Sequence, residues 1–218
     1  QFITLEPATP GRFEQHGRVV AFVPRERLRP ATLYTLTIKG GLTAQDSTAA
    51  LGSDLVVRFE TVGDETTVSY GGFSQAFTSV APGEAPALAF QAYGEGVSAP
   101  SQATLYRFRD AADLQERFRA IDALPAWASA ARLNNTIATD GLSRVGTFDL
   151  AAEADVFRFP RGFDAGYYLV EVQAGKFRLQ TPLVISQLAA STTVTANDTI
   201  LWIYNLETKQ PVPQATVQ

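Results

Sequence analysis

The 218 residues predict a mainly β chain of tandem sandwiches with one helical insertion. Three observations lead there. Short runs of β-branched and aromatic residues recur along the whole chain. Gly, Pro, Asn and Asp separate them, as turn chemistry requires. A single stretch after residue 110 switches from a two-residue to a helical period.

The elements follow in order. Residues 18–23, 33–38 and 55–61 read as strands. Between the first two lies Pro24-Arg25-Glu26-Arg27-Leu28-Arg29-Pro30, whose prolines interrupt pairing at both ends and make it a loop. Gly40-Gly41 closes the second strand, and residues 46–52 form a polar connection. Further strands are expected at 66–70, 87–93, 103–108, 143–148, 156–159, 167–172 and 177–185, then a long run at 192–204. Ala174-Gly175-Lys176 is the turn of a hairpin, and Asp140-Gly141 a tight turn. Asp110 stands at a helix N-cap with Asp113 in the first turn, where a negative charge meets the positive end of the helix dipole. Leu114, Phe118 and Ile121 share one face, read as a core-packing stripe. Pro125 ends or kinks that helix, and residues 127–132 suggest a second short turn.

Composition narrows the function. The formal charge of −4 gives no electrostatic footprint for nucleic acid. No apolar run approaches the ~18 residues that span a bilayer. Cysteine is absent, which removes disulfides, thiolate metal sites and a cysteine nucleophile from the chain. Gln1 opens the sequence as in a processed or trimmed product.

Candidate chemistry is sparse. His16 is the one histidine, in a polar stretch read as loop, and cannot build a zinc site alone. Gly94-Glu95-Gly96-Val97-Ser98-Ala99 has the spacing of a dinucleotide fingerprint, but Pro100 and a strand follow where a helix is needed. Gly72-Phe73-Ser74-Gln75-Ala76 approaches a nucleophile elbow but lacks its final glycine. Asp64/Glu65 and Asp149/Glu153/Asp155 are acidic groups in polar connections, read as solvated. Arg25/Arg27/Arg29 and Arg107/Arg109/Arg117/Arg119 are interleaved with acids, as salt-bridged faces are. Tyr70, Phe73, Trp127 and Trp202 suit either a core or a sugar-stacking surface. No catalytic, cofactor-binding or metal residue is assigned, and the chain is expected to be non-enzymatic.

Two segments echo one another. Leu28-Arg29-Pro30-Ala31-Thr32-Leu33-Tyr34-Thr35-Leu36 and Phe163-Asp164-Ala165-Gly166-Tyr167-Tyr168-Leu169-Val170-Glu171 each run from a hydrophobic residue through a Pro or Gly turn into a Tyr-led strand. A late hairpin of an immunoglobulin-like domain reads this way. Three further runs complete the pattern: Gly166-Tyr167-Tyr168-Leu169-Val170-Glu171-Val172, then Thr181-Pro182-Leu183-Val184-Ile185-Ser186-Gln187-Leu188, then Ile200-Leu201-Trp202-Ile203-Tyr204-Asn205-Leu206-Glu207-Thr208-Lys209-Gln210-Pro211-Val212-Pro213-Gln214-Ala215-Thr216-Val217. Together they resemble bacterial α2-macroglobulin, where one macroglobulin domain ends on such a strand and the next opens with such a hairpin. Residues 20–61 are similar to the later half of the bacterial Ig-like domains found upstream in such proteins.

The resemblance implies a division into 1–61, an Ig-like domain incomplete at its start, 62–188, a macroglobulin-like sandwich with a helix near 110–132, and 189–218, the start of a further macroglobulin-like domain. It implies an exported protein, periplasmic or on the cell surface, whose full-length form traps target proteases with a bait region and a thioester. Neither device carries over: a thioester needs a Cys, and this chain has none. The expected role is a scaffold segment that contacts other domains of the same chain, with no cofactor and no nucleic acid. A cell-surface adhesion or carbohydrate-binding module is the alternative, and an exposed row of Tyr or Trp would favour it.

Overall fold

The computed structural model describes residues 2–17, 19–43, 48–63, 70–73, 78–93, 96, 98–153, 155–175 and 177–215. It is mainly β, with two short helices, α1 (Ala111–Asp122) and α2 (Ser129–Asn134). Two compact units divide the chain: Gln1–Thr66 with Ile121–Asn135, and Thr67–Ala120 with Thr136–Gln218.

The first unit holds β1 (Ile3–Glu6), β2 (Gly11–His16), β3 (Val19–Pro24), β4 (Leu33–Ile38) and β5 (Leu55–Glu60). β1, β4 and β5 form an antiparallel sheet in that order, and β2 and β3 a separate hairpin. β1 and β2 lie before residue 18, where the sequence pattern predicts no strand. Their polar content, Arg12, Glu14, Gln15 and His16, hid a hairpin that is largely exposed. His16 is therefore a strand residue paired with Val19, not a loop residue. Tyr34 is 1% exposed and stacks on Phe59, centroids 5.5 Å apart. Its hydroxyl accepts the Arg29 N–H at 3.0 Å. Thr61 closes the same corner, accepting from the Thr32 N–H at 3.0 Å. The short helix α2 lacks a side-chain cap from Ala128. Glu60, at the end of β5, supplies one: its carboxylate accepts the Ala131 N–H at 2.7 Å and the Ala130 N–H at 3.2 Å.

The second unit holds β6 (Tyr70–Phe73), β7 (Thr78–Val80), β8 (Ala87–Tyr93), β9 (Gln102–Arg107), β10 (Ser143–Asp149), β11 (Ala151–Glu153), β12 (Val156–Arg158), β13 (Gly166–Ala174), β14 (Phe177–Ile185), β15 (Leu188–Val194) and β16 (Thr199–Asn205). A five-stranded sheet runs β10-β9-β13-β14-β7, and a four-stranded one β11-β12-β8-β6. Only β7, among the described strands, pairs parallel, with β14. Period-two burial builds the core: Leu88 and Phe90 on β8, Phe157 on β12, Leu105 on β9, and Tyr168, Val170 and Val172 on β13. Tyr168 is 2% exposed, and its hydroxyl donates to the Asp164 carbonyl at 2.8 Å.

The other face of β13 is covered too. Leu169 is fully buried there, and Gln180 clamps the backbone of Ile137 from both sides, accepting its N–H at 2.6 Å and donating to its carbonyl at 3.1 Å. α1 starts as expected, with Asp110 accepting the Asp113 N–H at 2.9 Å. Its apolar stripe is shallower than expected: Leu114, Phe118 and Ile121 are half-buried, and the buried residue of the helix is Asp113.

The run at 192–204, read as one strand, is a hairpin of β15 and β16. Thr195, Asn197 and Asp198 break it: the Thr195 hydroxyl accepts the Asp198 N–H at 2.9 Å, a local bond that competes with a continuous strand. The strand expected at 66–70 falls outside the described residues except for Tyr70, where β6 begins.

Candidate functional site

The second unit carries a notch of 350 Å³ beside the Tyr168 corner. Four other parts of the chain shape it. The turn after β7 brings Pro82 and Gly83, and the link from β12 to β13 brings Arg161, Gly162, Phe163, Asp164 and Ala165. Arg107 comes from the end of β9 and Val145 from β10. Val145 sits at a register break between Arg144 and Gly146, so a β-bulge turns it toward the notch. Gly162 is required by close approach, because a Cβ there would run into the Gly83 backbone.

Under the notch lies an aromatic cluster. Phe148, Phe159 and Phe163 meet edge to face with centroids 5.1 to 5.9 Å apart, and Phe163 leans on Tyr168 at 6.3 Å. Two guanidiniums lie over these rings. Arg161 is 5.5 Å from the Phe148 centroid and 5.4 Å from that of Phe163, and Arg107 is 5.6 Å from that of Tyr168. Arg107 also donates from Nη2 to the Ala165 carbonyl at 3.0 Å. Burial pushes the Tyr168 phenol above its ordinary value; the Arg107 charge opposes that shift and Asp164 reinforces it. The phenol therefore stays a hydrogen-bond donor throughout the neutral range.

The arginines grouped in the sequence separate. Arg109 and Arg117 converge on Asp113, at 3.6 and 3.0 Å, and Arg119 pairs with Glu116 at 2.8 Å. Arg117 further donates to the carbonyls of Ala138 and Asp140, tying the following loop to α1. Only Arg107 of that group reaches the notch. The signal that could have found its companion is Phe159-Pro160-Arg161-Gly162-Phe163, an arginine flanked by aromatics just before a Tyr-led strand. Arg25, Arg27 and Arg29 line a smaller recess of 280 Å³ in the first unit, with Glu26 among them.

The other candidates do not assemble. His16 touches Glu14 at 3.2 Å on an exposed hairpin. Of the 94–99 motif, Gly96 lies against the β13–β14 turn, where a Cβ on Gly175 would meet its carbonyl oxygen, and β9 follows rather than a helix. Ser74, Gln75 and Ala76 lie outside the described residues, as do Asp64 and Glu65. Asp149 accepts from Gln102 at 2.7 Å, and Asp155 is exposed. No group of three His, Cys, Asp or Glu able to hold a metal occurs among the described residues. Phe73 is half-buried against Phe90, whereas Trp127 and Trp202 are exposed.

The hairpin of β15 and β16 is the second notable surface. Ile200, Trp202 and Tyr204 alternate along β16 and so share a face; Trp202 is 52% exposed and Tyr204 38%. Leu201, on the opposite face, is exposed as well. After β16 the Asn205 side chain accepts the N–H groups of Glu207 and Thr208, both at 2.9 Å, and Lys209 takes a left-handed φ of 56°. The chain then returns along β16, with the Val212 N–H on the Ile203 carbonyl at 2.9 Å.

No family model matches this chain, and no curated protein matches it. A solved structure to which it is similar is that of a mutant Salmonella alpha-2-macroglobulin, at 14% identity and a TM-score of 0.28. The match covers 93% of this chain and 12% of that one. No helix among the described residues is long and apolar enough to cross a membrane.

Proposed function

We propose that the chain is a non-enzymatic scaffold segment of a bacterial, exported α2-macroglobulin-like protease inhibitor, holding a protease trap formed elsewhere in the full-length protein. The observation that carries this reading is the turn at 205–212. The resemblance expects a hairpin there, and the turn held by the Asn205 side chain, with the return of the chain along β16, supports it. The paired tyrosine corners at Tyr34 and Tyr168 support tandem Greek-key sandwiches, because a strand-start tyrosine bonding back to the preceding turn is a mark of such folds. In this reading 1–61, 62–188 and 189–218 are three successive modules. The apolar faces of β15 and β16 are then covered by further strands of the third.

The test is capture. The full-length protein is incubated with a broad-specificity protease, and activity is followed on a large and on a small substrate. Loss of cleavage of the large substrate alone is the expected result. Unchanged cleavage of both would reject the reading.

A second reading has one specific observation in its favour. Ile200, Trp202 and Tyr204 form an exposed apolar row on one strand face, the feature a carbohydrate-binding module would use. Binding of soluble oligosaccharides to this chain, abolished by Trp202→Ala, would establish it.

A further inference from the structure

We propose that the notch formed by Arg107, Arg161, Val145, Phe163, Asp164 and Tyr168 binds the C-terminal carboxylate of a peptide. The proposal stands apart from the scaffold reading, since it needs only the second unit.

Three observations lead to it. The first is unused donor capacity. A guanidinium carries five N–H donors in a plane, and stacking on an aromatic ring leaves the edges of that plane free. Arg161 is held by the rings of Phe148 and Phe163, with no carboxylate partner among the described residues. Arg107 uses one donor on the Ala165 carbonyl and rests on Tyr168. The second observation is preorganisation. Both cations lie on a packed aromatic cluster, which lowers the ordering cost of binding. The third is shape and charge. The notch holds 350 Å³, room for a terminal residue, with Val145 and Phe163 as apolar surface beside the cations.

Asp164 decides between anions. Its carboxylate lines the same notch, so two positive charges face one negative charge. That balance suits a monoanion with an apolar neighbour and opposes a phosphate dianion. Bidentate Arg–carboxylate pairing supplies the geometry.

The test is calorimetric titration of the 218-residue chain with three probes: N-acetyl-valyl-phenylalanine with a free terminal carboxylate, its C-terminal amide, and inorganic phosphate. Saturable binding of the acid, with none of the amide, is expected. Arg161→Gln should weaken it about tenfold or more, and Asp164→Asn should tighten it. Both replaced side chains are exposed, and melting curves verify that each variant folds. Equal binding of acid and amide, no saturation with the acid, indifference to Arg161→Gln, or tighter binding of phosphate than of the acid would each overturn the proposal.

Discussion

The Tyr168 hydroxyl reaches back four residues and donates to the Asp164 carbonyl at 2.8 Å. In the first unit Tyr34 reaches back five and accepts the Arg29 N–H at 3.0 Å. Both rings are buried, and both bonds pin the turn that leads into a central strand. Tyr168→Phe removes the bond and leaves the ring. The bond is part-buried, so the expected loss is about 1 kcal/mol by denaturant unfolding. An unchanged midpoint would mean that the corner contributes nothing beyond packing.

Asp113 ties α1 to its surroundings. Its carboxyl is held below the usual carboxylate value of 3.8, first by the hydrogen bond from the Arg109 N–H and next by that from Arg117. A carboxylate with a lowered folded pKa contributes stability that is present above its unfolded value and lost as pH falls through the folded one. Wild type should therefore lose melting temperature as pH falls from above 3.8 through the lowered folded value, over and above the general acid effect. Asp113→Asn should start lower at neutral pH and show a smaller decline. Parallel profiles for the two proteins would contradict this.

Phe118 tests how deep the helix stripe lies. It is half-buried, its ring 6.3 Å from that of Phe108. Phe118→Ala should cost about 1–2 kcal/mol. Phe90, enclosed between Phe73 and Phe157, should cost about 3–5 kcal/mol on the same change. Equal losses at the two sites would mean that α1 is packed as deeply as the sandwich core.

Legibility followed local pattern. β4, β8 and β14 were readable to the residue, because apolar alternation and flanking turns agree there. The Asp110 cap was readable for the same reason. β2 was not, since Arg12, Glu14, Gln15 and His16 give an exposed strand no apolar face to show. The break inside 192–204 was missed because β-branched residues on both sides outweigh the turn-forming Asn197 and Asp198. The depth of the α1 stripe depends on what packs over it, which periodicity alone does not report. The notch was invisible for a different reason: Arg107 and Arg161 are far apart in sequence and meet only because β9 pairs with β13.

The central claim is that this chain is one part of a larger β scaffold, and the hairpin of β15 and β16 tests it most directly. An isolated two-stranded hairpin is marginal in water, and Ile200, Leu201, Trp202 and Tyr204 are all exposed on this one. The decisive measurement is amide hydrogen exchange of residues 200–204, compared between the 218-residue chain and the full-length protein. Slow exchange in the full-length protein and markedly faster exchange in the chain are predicted, because the proposed scaffold covers the hairpin with further strands. Equal exchange rates in the two would contradict the claim, and slowing of both by a soluble oligosaccharide would replace it with the carbohydrate-binding reading.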